Sequence, residues 1–435
     1  MTSITFRTNA LIFTFALPAL TLAQEFEPGY IDPEPILAAA SAAIGEDRLS
    51  CISISGSAYT GMVGQQYINA YEVDWPRGKP LRNYNRVIDW ENVRMIETFD
   101  REPGHNPASW KYGLGWDSGM PVQKNVHQVF SLNGAYAWYQ DGDDGLPVAA
   151  QPIDAERWQL DMWLTPHGFL KAARLPGANP VATWRWELGE MGRDGATVSP
   201  EKMSIVSITL MGKYRVDATI NSQNLLQRIH TWVPDPVLGD ANYEHEFANS
   251  DYIDIGDGVR FPTVWHHHTG WDDNYQAQSI NAGHNAFGGR QDNIAANVCP
   301  GEVKVPSTVV DADFSEKVDI SDLGDGTYLY GGGSHNSVVI EFNDYIAVIE
   351  APLNESRNLA VIDEIVKHIP NKPIRFLINT HQHHDSIGGL RTYMHIRATI
   401  ITHWKNYEFY TQDVLNYSPR TLDPDMISLW PPTEL

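Results

Sequence analysis

Ten residues, Thr380-His381-Gln382-His383-His384-Asp385-Ser386-Ile387-Gly388-Gly389, concentrate imidazole, carboxylate and hydroxyl groups in one place. His381 and His383 are two apart, so on a strand end or the loop leaving it they project to one side. Asp385 follows two residues later, and Gly388-Gly389 lets the chain turn sharply into a helix. Imidazole nitrogens with a carboxylate suit zinc, or less selectively iron or manganese. A metal held by His381, His383 and Asp385 would lower the pKa of a bound water toward neutrality. The plainer alternative is a polar loop rich in histidine, but strand, spacing and paired glycines agree here.

Other candidates are weaker. Trp265-His266-His267-His268 looks metal-like, yet on a strand His266 and His268 face one side with no carboxylate fixed nearby in the sequence, as on an ordinary sheet surface. Gly331-Gly332-Gly333 precedes a strand rather than a helix, so it reads as a turn and not a phosphate loop. Trp158 and Trp163 read as core rather than as a ligand platform.

The elements that must position the histidine loop can be read around it. The apolar run Ile374 to Asn379 is a buried strand leading into the motif. Before it, a strand over 327–330 and a hairpin around Asn343-Asp344 precede a helix. Ser356 is its expected cap, Leu359, Ile362, Ile365, Val366 and Ile369 its expected apolar face, and Pro370 and Pro373 its end. A helix over 390–395, a strand over 398–402 and a helix over 405–415 follow. This alternation makes an α/β layer beginning near Val309.

Residues 33–300 have another character. An alanine-rich helix over 33–45 leads into a strand over 50–59 and further strands over 84–99. Asn133-Gly134 marks a hairpin within 127–138. Helical spacing over 154–175 breaks at Thr165-Pro166-His167-Gly168. Strands with polar turns over 203–233, 244–252 and 259–268 complete an expected antiparallel sheet, curved around one or two helices. Asn281 to Pro306, rich in Asn, Gly, Ala and Pro, reads as the linker. The fold class is thus α+β or α/β: a β-rich antiparallel domain followed by an α/β domain.

The 435 residues allow two or three domains, and 42% hydrophobic with 20% charged residues is ordinary for a soluble protein. A formal charge of −23 argues against nucleic acid and anionic membrane surfaces as partners. It names no substrate and no oligomeric state. Arg7, the apolar run Leu11 to Leu22 and small residues at Thr21-Leu22-Ala23 form a secretory signal pattern over 1–23, with cleavage near Gln24. No later stretch is long and apolar enough to span a bilayer. In an oxidising compartment Cys51 and Cys299 either pair or remain two buried thiols. Asn354-Glu355-Ser356 and Asn416-Tyr417-Ser418 are glycosylation acceptors if the cell is eukaryotic.

The stretch from Thr380 to Gly389 resembles the metallo-β-lactamase superfamily signature T-H-x-H-x-D-H-x-G-G. Thr380, His381, His383, Asp385, Gly388 and Gly389 match it. Gly332 to Ser337, Glu350 to Leu353 and Pro373 to Arg375 are similar in the flanks. The resemblance implies a secreted metal-dependent hydrolase of small molecules, built on a four-layer αββα sandwich of which the first half is present. It implies one or two zinc ions, the first held by His381 and His383, with Asp385 serving the second or the water. His335 resembles a position that contacts substrate. Two departures stand out: Ser386 occupies the place of a histidine, and the family's third histidine ligand, well downstream, has no counterpart in His395 or His403. A truncated or catalytically impaired product is therefore the second expectation, and a secreted binding module with an aromatic-rich sheet the third.

Overall fold

Alternation of apolar and polar residues carries most of the described residues between 51 and 296 into one antiparallel sheet of thirteen strands. The computed structural model describes residues 29–61, 64–65, 77–102, 124–188, 200–248, 251–270, 286–415 and 420–430. The signal pattern over 1–23 and the acceptor Asn416-Tyr417-Ser418 lie outside these residues. Strands β1 (Cys51–Gly61), β2 (Arg77–Asp89), β3 (Arg94–Arg101), β4 (Val126–Asn133), β5 (Tyr136–Asp141) and β6 (Val148–Ala149) lie side by side in chain order. A second run is formed by β7 (Val181–Leu188), β8 (Pro200–Leu210), β9 (Tyr214–Ile220), β10 (Leu226–Asp235) and β11 (Gly239–Glu246). The short β12 (Tyr252–Asp254) and β13 (Arg260–Pro262) form a separate ribbon. The two runs are joined by β14 (Val264–Gly270) and β15 (Phe287–Ala296), the latter seated between β14 and β1.

That seam corrects the linker expectation for Asn281 to Pro306, because residues 287–296 form an interior strand. Its composition hid it. Gly288 and Gly289 are there for close approach: a Cβ on Gly288 would come within 2.4 Å of the Tyr59 ring on the neighbouring strand. The strand is defined by partners on both sides rather than by its own propensity.

The inner face of the sheet packs on three helices. Helix α1 (Pro33–Ile44) is capped by Asp32, whose side chain accepts from the Glu34 amide, and buries Leu37, Ala40 and Ile44. Helices α2 (Pro152–Trp163) and α3 (Pro166–Ala172) break where expected, with the Thr165 hydroxyl accepting from the Gly168 amide. Trp158 and Trp163 are buried in the core, and the Trp158 ring meets Phe130 edge-on.

Cys51 and Cys299 are joined by a disulfide. It ties the start of β1 to the chain just beyond β15, closing 248 residues of sequence. Cys51→Ala is expected to lower unfolding free energy by about 2–5 kcal/mol, read as a fall in the urea midpoint at unchanged slope. An unchanged midpoint would mean that the bridge constrains nothing the sheet does not.

The second domain is a mixed sheet of six strands in chain order. The first four, β16 (Asp319–Gly324), β17 (Thr327–Gly331), β18 (Ser337–Glu341) and β19 (Ile346–Ile349), pair antiparallel. Then β20 (Ile374–Ile378) and β21 (Thr399–Ile401) continue in parallel. Helix α4 (Glu355–His368) crosses from β19 to β20. Two of its expected features are corrected. The cap is Asn354, not Ser356, since the Asn354 side chain accepts from the Arg357 amide at 3.0 Å. Its buried face runs through Asn358, Val361 and Ile365, whereas Leu359 and Val366 are exposed, about a quarter turn away.

The two domains share one hydrophobic core and are latched by the segment 420–430. The Arg420 guanidinium donates to the Asp235 and Pro236 carbonyls, each at 2.6 Å, and the Thr421 and Leu422 amides donate to the Asp240 carboxylate. Among the described residues, no helix is long and apolar enough to cross a membrane.

Candidate metal centre

The motif loop leaves β20 and is tied down before its side chains do anything. Glu350, at the end of β19, accepts from the Thr380 amide and the Asn379 side chain, both at 2.9 Å. The Asn379 amide also reaches the Ser386 carbonyl at 3.3 Å, and its carbonyl oxygen accepts from the Tyr410 hydroxyl. The Leu353 amide donates to the Asp385 carbonyl at 3.0 Å. Helices α5 (His384–Ile387) and α6 (Leu390–His395) then carry the chain away.

The paired glycines have a different reason from the one expected. Neither has positive φ: Gly388 is at −59° and Gly389 at −100°. They are small because the loop presses on its neighbours. A Cβ on Gly388 would lie 1.8 Å from the Leu353 carbonyl oxygen, and one on Gly389 2.1 Å from the Asn358 amide. Close approach, to backbone at Gly388 and to the Asn358 side chain at Gly389, selects glycine rather than a left-handed turn.

On this support His381, His383 and Asp385 come together. One ligand atom from each lies within 4.8 Å of the others. The two rings stand 4.9 Å apart at 75°. The Thr380 hydroxyl lies 3.0 Å from His381 Nδ1 and the Ser386 hydroxyl 3.3 Å from His381 Nε2, so hydroxyls bracket that ring. Asp385 is buried. Burial pushes its carboxyl up, but hydrogen bonds from His335 and Gln65 and the charges of His335 and His381 prevail and hold it below the ordinary carboxylate range. His335 Nε2 stands 3.3 Å from Asp385 Oδ2, which places the residue expected to touch substrate against the aspartate. His384, between the two, is fully buried, and burial lowers its imidazole to about 3, so it packs neutral, stacked toward Phe409. His395 and His403 are not part of the group.

Gln65 is the residue the sequence did not disclose. It belongs to the front domain, yet its Nε2 donates to Asp385 Oδ1 at 2.6 Å. The Gly64 carbonyl next to it accepts from the His384 amide at 3.1 Å. The front domain thus orients the aspartate across the domain boundary. Gln65→Ala is expected to weaken metal affinity about 10-fold, the usual size for losing an outer hydrogen bond to a ligand, measured by competition with a chromogenic chelator. Unchanged affinity would show that Gln65 does not position Asp385.

Two histidines and an ionised carboxylate, with outer hydrogen bonds on His381 and Asp385, form a donor set that fits a divalent metal. Residues 330–429 match the family model described as the metallo-beta-lactamase superfamily. That match covers 100 of the 435 residues of the chain. The fold class, α+β with this domain at the C-terminal side, agrees with expectation. The mono-zinc metallo-beta-lactamase FIM-1 of Pseudomonas aeruginosa is 17% identical over 23% of this chain and 50% of its own, with a TM-score of 0.20. A metallo-beta-lactamase from Hirschia baltica is 25% identical over 24% of this chain and 54% of its own, with a TM-score of 0.20. The chain thus spans about half the length of these two proteins. A DUF1329 family protein from Desulfovibrio piger is 11% identical over 62% of this chain and 96% of its own, with a TM-score of 0.32. No curated protein matches the chain.

Proposed function

We propose that this protein is a secreted metal-dependent hydrolase that cleaves an ester, thioester, amide or lactone of a small molecule. The observation that carries the reading is the convergence of His381, His383 and Asp385 within 4.8 Å, with Asp385 kept ionised by its neighbours. Zinc is the ion proposed; iron and manganese accept the same nitrogen and oxygen donors. A divalent ion there would lower the pKa of a bound water toward neutrality and polarise the scissile carbonyl. The chain's own residues do the rest. Thr380 and Ser386 fix the His381 ring, Glu350 fixes the loop, and Gln65 and His335 aim the Asp385 carboxylate. That carboxylate is the proton acceptor, and His335 is the group beside it able to meet a substrate oxygen. Secretion is supported by the apolar run over 11–22 and by the disulfide.

One observation favours a second reading, a catalytically impaired relative. Ser386, a poor ligand, stands where the signature has histidine, and its hydroxyl engages His381 Nε2. The test is a panel of chromogenic esters, thioesters, lactones and β-lactams, assayed before EDTA dialysis, after it, and after return of Zn²⁺. Turnover of one class, lost and then restored with metal, is the expected result. No turnover of any class by metal-loaded protein would set the hydrolase reading aside for the impaired one, or for a binding module.

A further inference from the structure

A second set of metal-ligating side chains lies in the core of the front domain, on elements that share nothing with the 380–389 loop. Strands β11 and β14 pair so that His245 stands directly opposite His267. Both are buried, with ring centroids 4.6 Å apart. Helix α2, packed over this face, brings in Asp161, also buried. One ligand atom from each of the three lies within 4.8 Å of the others. The expectation that His266-His267-His268 is ordinary sheet surface holds for its flanking members, with His268 paired to Glu246 at 3.2 Å, but fails for His267, which faces inward.

Two details describe how this group is arranged. His245 Nε2 is 2.9 Å from Asp161 Oδ1. Two donors about 2.0 Å from one tetrahedral ion stand roughly 3.3 Å apart, close to this spacing. The other oxygen, Asp161 Oδ2, accepts from Arg86 Nη2 at 2.7 Å, which fixes the carboxylate with Oδ1 toward the histidines. Outer partners of this kind orient ligating carboxylates. The charge of buried Glu97 acts on Arg86 as well as that of Asp161, so the guanidinium is shared between two carboxylates. The Tyr243 ring packs edge-on against His267 at 4.0 Å, and Thr269 Oγ1 lies 3.4 Å from His267 Nε2, so the second ring also has neighbours that orient it.

Burying two imidazoles and a carboxylate in a core is expensive where apolar side chains would pack. We propose that Asp161, His245 and His267 form a second metal site, taking a divalent ion of the zinc class and stapling α2 to the sheet. Two nitrogens and one oxygen from a helix and two paired strands are the donors such an ion takes. The ion enters as the domain folds, because the site is closed to solvent.

The test needs no activity, so its outcome is independent of the hydrolase reading. The full chain carrying His381→Ala and His383→Ala, with the front core untouched, is refolded with Zn²⁺, desalted and analysed for metal. The expected result is retention of about one zinc per chain, replaceable by Co²⁺ with a visible d–d absorption. Adding His267→Ala is expected to abolish both. A folded double variant that retains no zinc would overturn the site and leave a metal-free polar network. Zinc that survives His267→Ala would overturn it too, since the ion would then be held elsewhere.

Discussion

Replacing His381 and His383 together with alanine is expected to lower turnover of whichever substrate class the protein hydrolyses by about 10³-fold, the rate equivalent of the several kcal/mol a Lewis-acid centre contributes. The fold should survive. Both side chains are half-buried, and the loop around them is held by Glu350, Asn379 and the Leu353 amide rather than by the imidazoles. Unfolding midpoints close to the parent protein's would therefore accompany the loss of rate. A fall in both together would mean that the histidines are structural. Asp385→Asn separates the roles further: it preserves shape and removes the charge that His335 and Gln65 stabilise, so kcat is expected to fall more than KM changes.

The largest stability effect is expected at Asp425. Its carboxylate accepts from Arg391 and lies 3.3 Å from Arg420 Nε, and all three side chains are less than a tenth exposed. It also accepts from the Ser428 amide at 3.0 Å, capping the turn Met426–Leu429. Asp425→Ala leaves two buried guanidinium groups without their shared anion. The expected cost is about 3–5 kcal/mol, with loosening of the domain latch as the structural consequence. The pH dependence has a definite sign. Burial raises the Asp425 carboxyl, but hydrogen bonds from Arg391 and Ser428 and the charges of Arg420 and Arg391 bring it down to about 2. Its unfolded value is about 3.9, so this stabilisation is complete above that pH and is lost as pH falls toward 2. The gap in urea midpoint between parent and variant should be full at pH 6 and visibly smaller at pH 3. A gap independent of pH would show that shape, not charge, is what Asp425 contributes.

The histidine loop was legible because its information is local. Strand, two histidines two apart, an aspartate and paired glycines sit within sixteen residues of one another, from 374 to 389. The two helices over 152–172 and the Asn133-Gly134 hairpin were legible for the same reason. What stayed hidden depends on distant partners. Strand β15 has a linker's composition and becomes a strand only between β1 and β14. Gln65 reaches Asp385 from 320 residues away, with no pattern around it to announce the contact. His267 shares a strand with His266 and His268, and alternation shows that it faces the other way; only the packing of α2 shows that its face is the core. On α4 the apolar residues Leu359 and Val366 suggested a wider buried face than the fold uses. Leu359 instead borders a cleft of about 410 Å³ between the domains, lined also by Arg391 and Arg420.

The most direct measurement is anomalous scattering at the zinc edge from crystals of the full chain grown with Zn²⁺. A peak within about 2.0–2.2 Å of His381, His383 and Asp385 is the predicted result. Zinc-loaded crystals with no peak at those three residues would contradict the account, and with it the hydrolase reading built on that site.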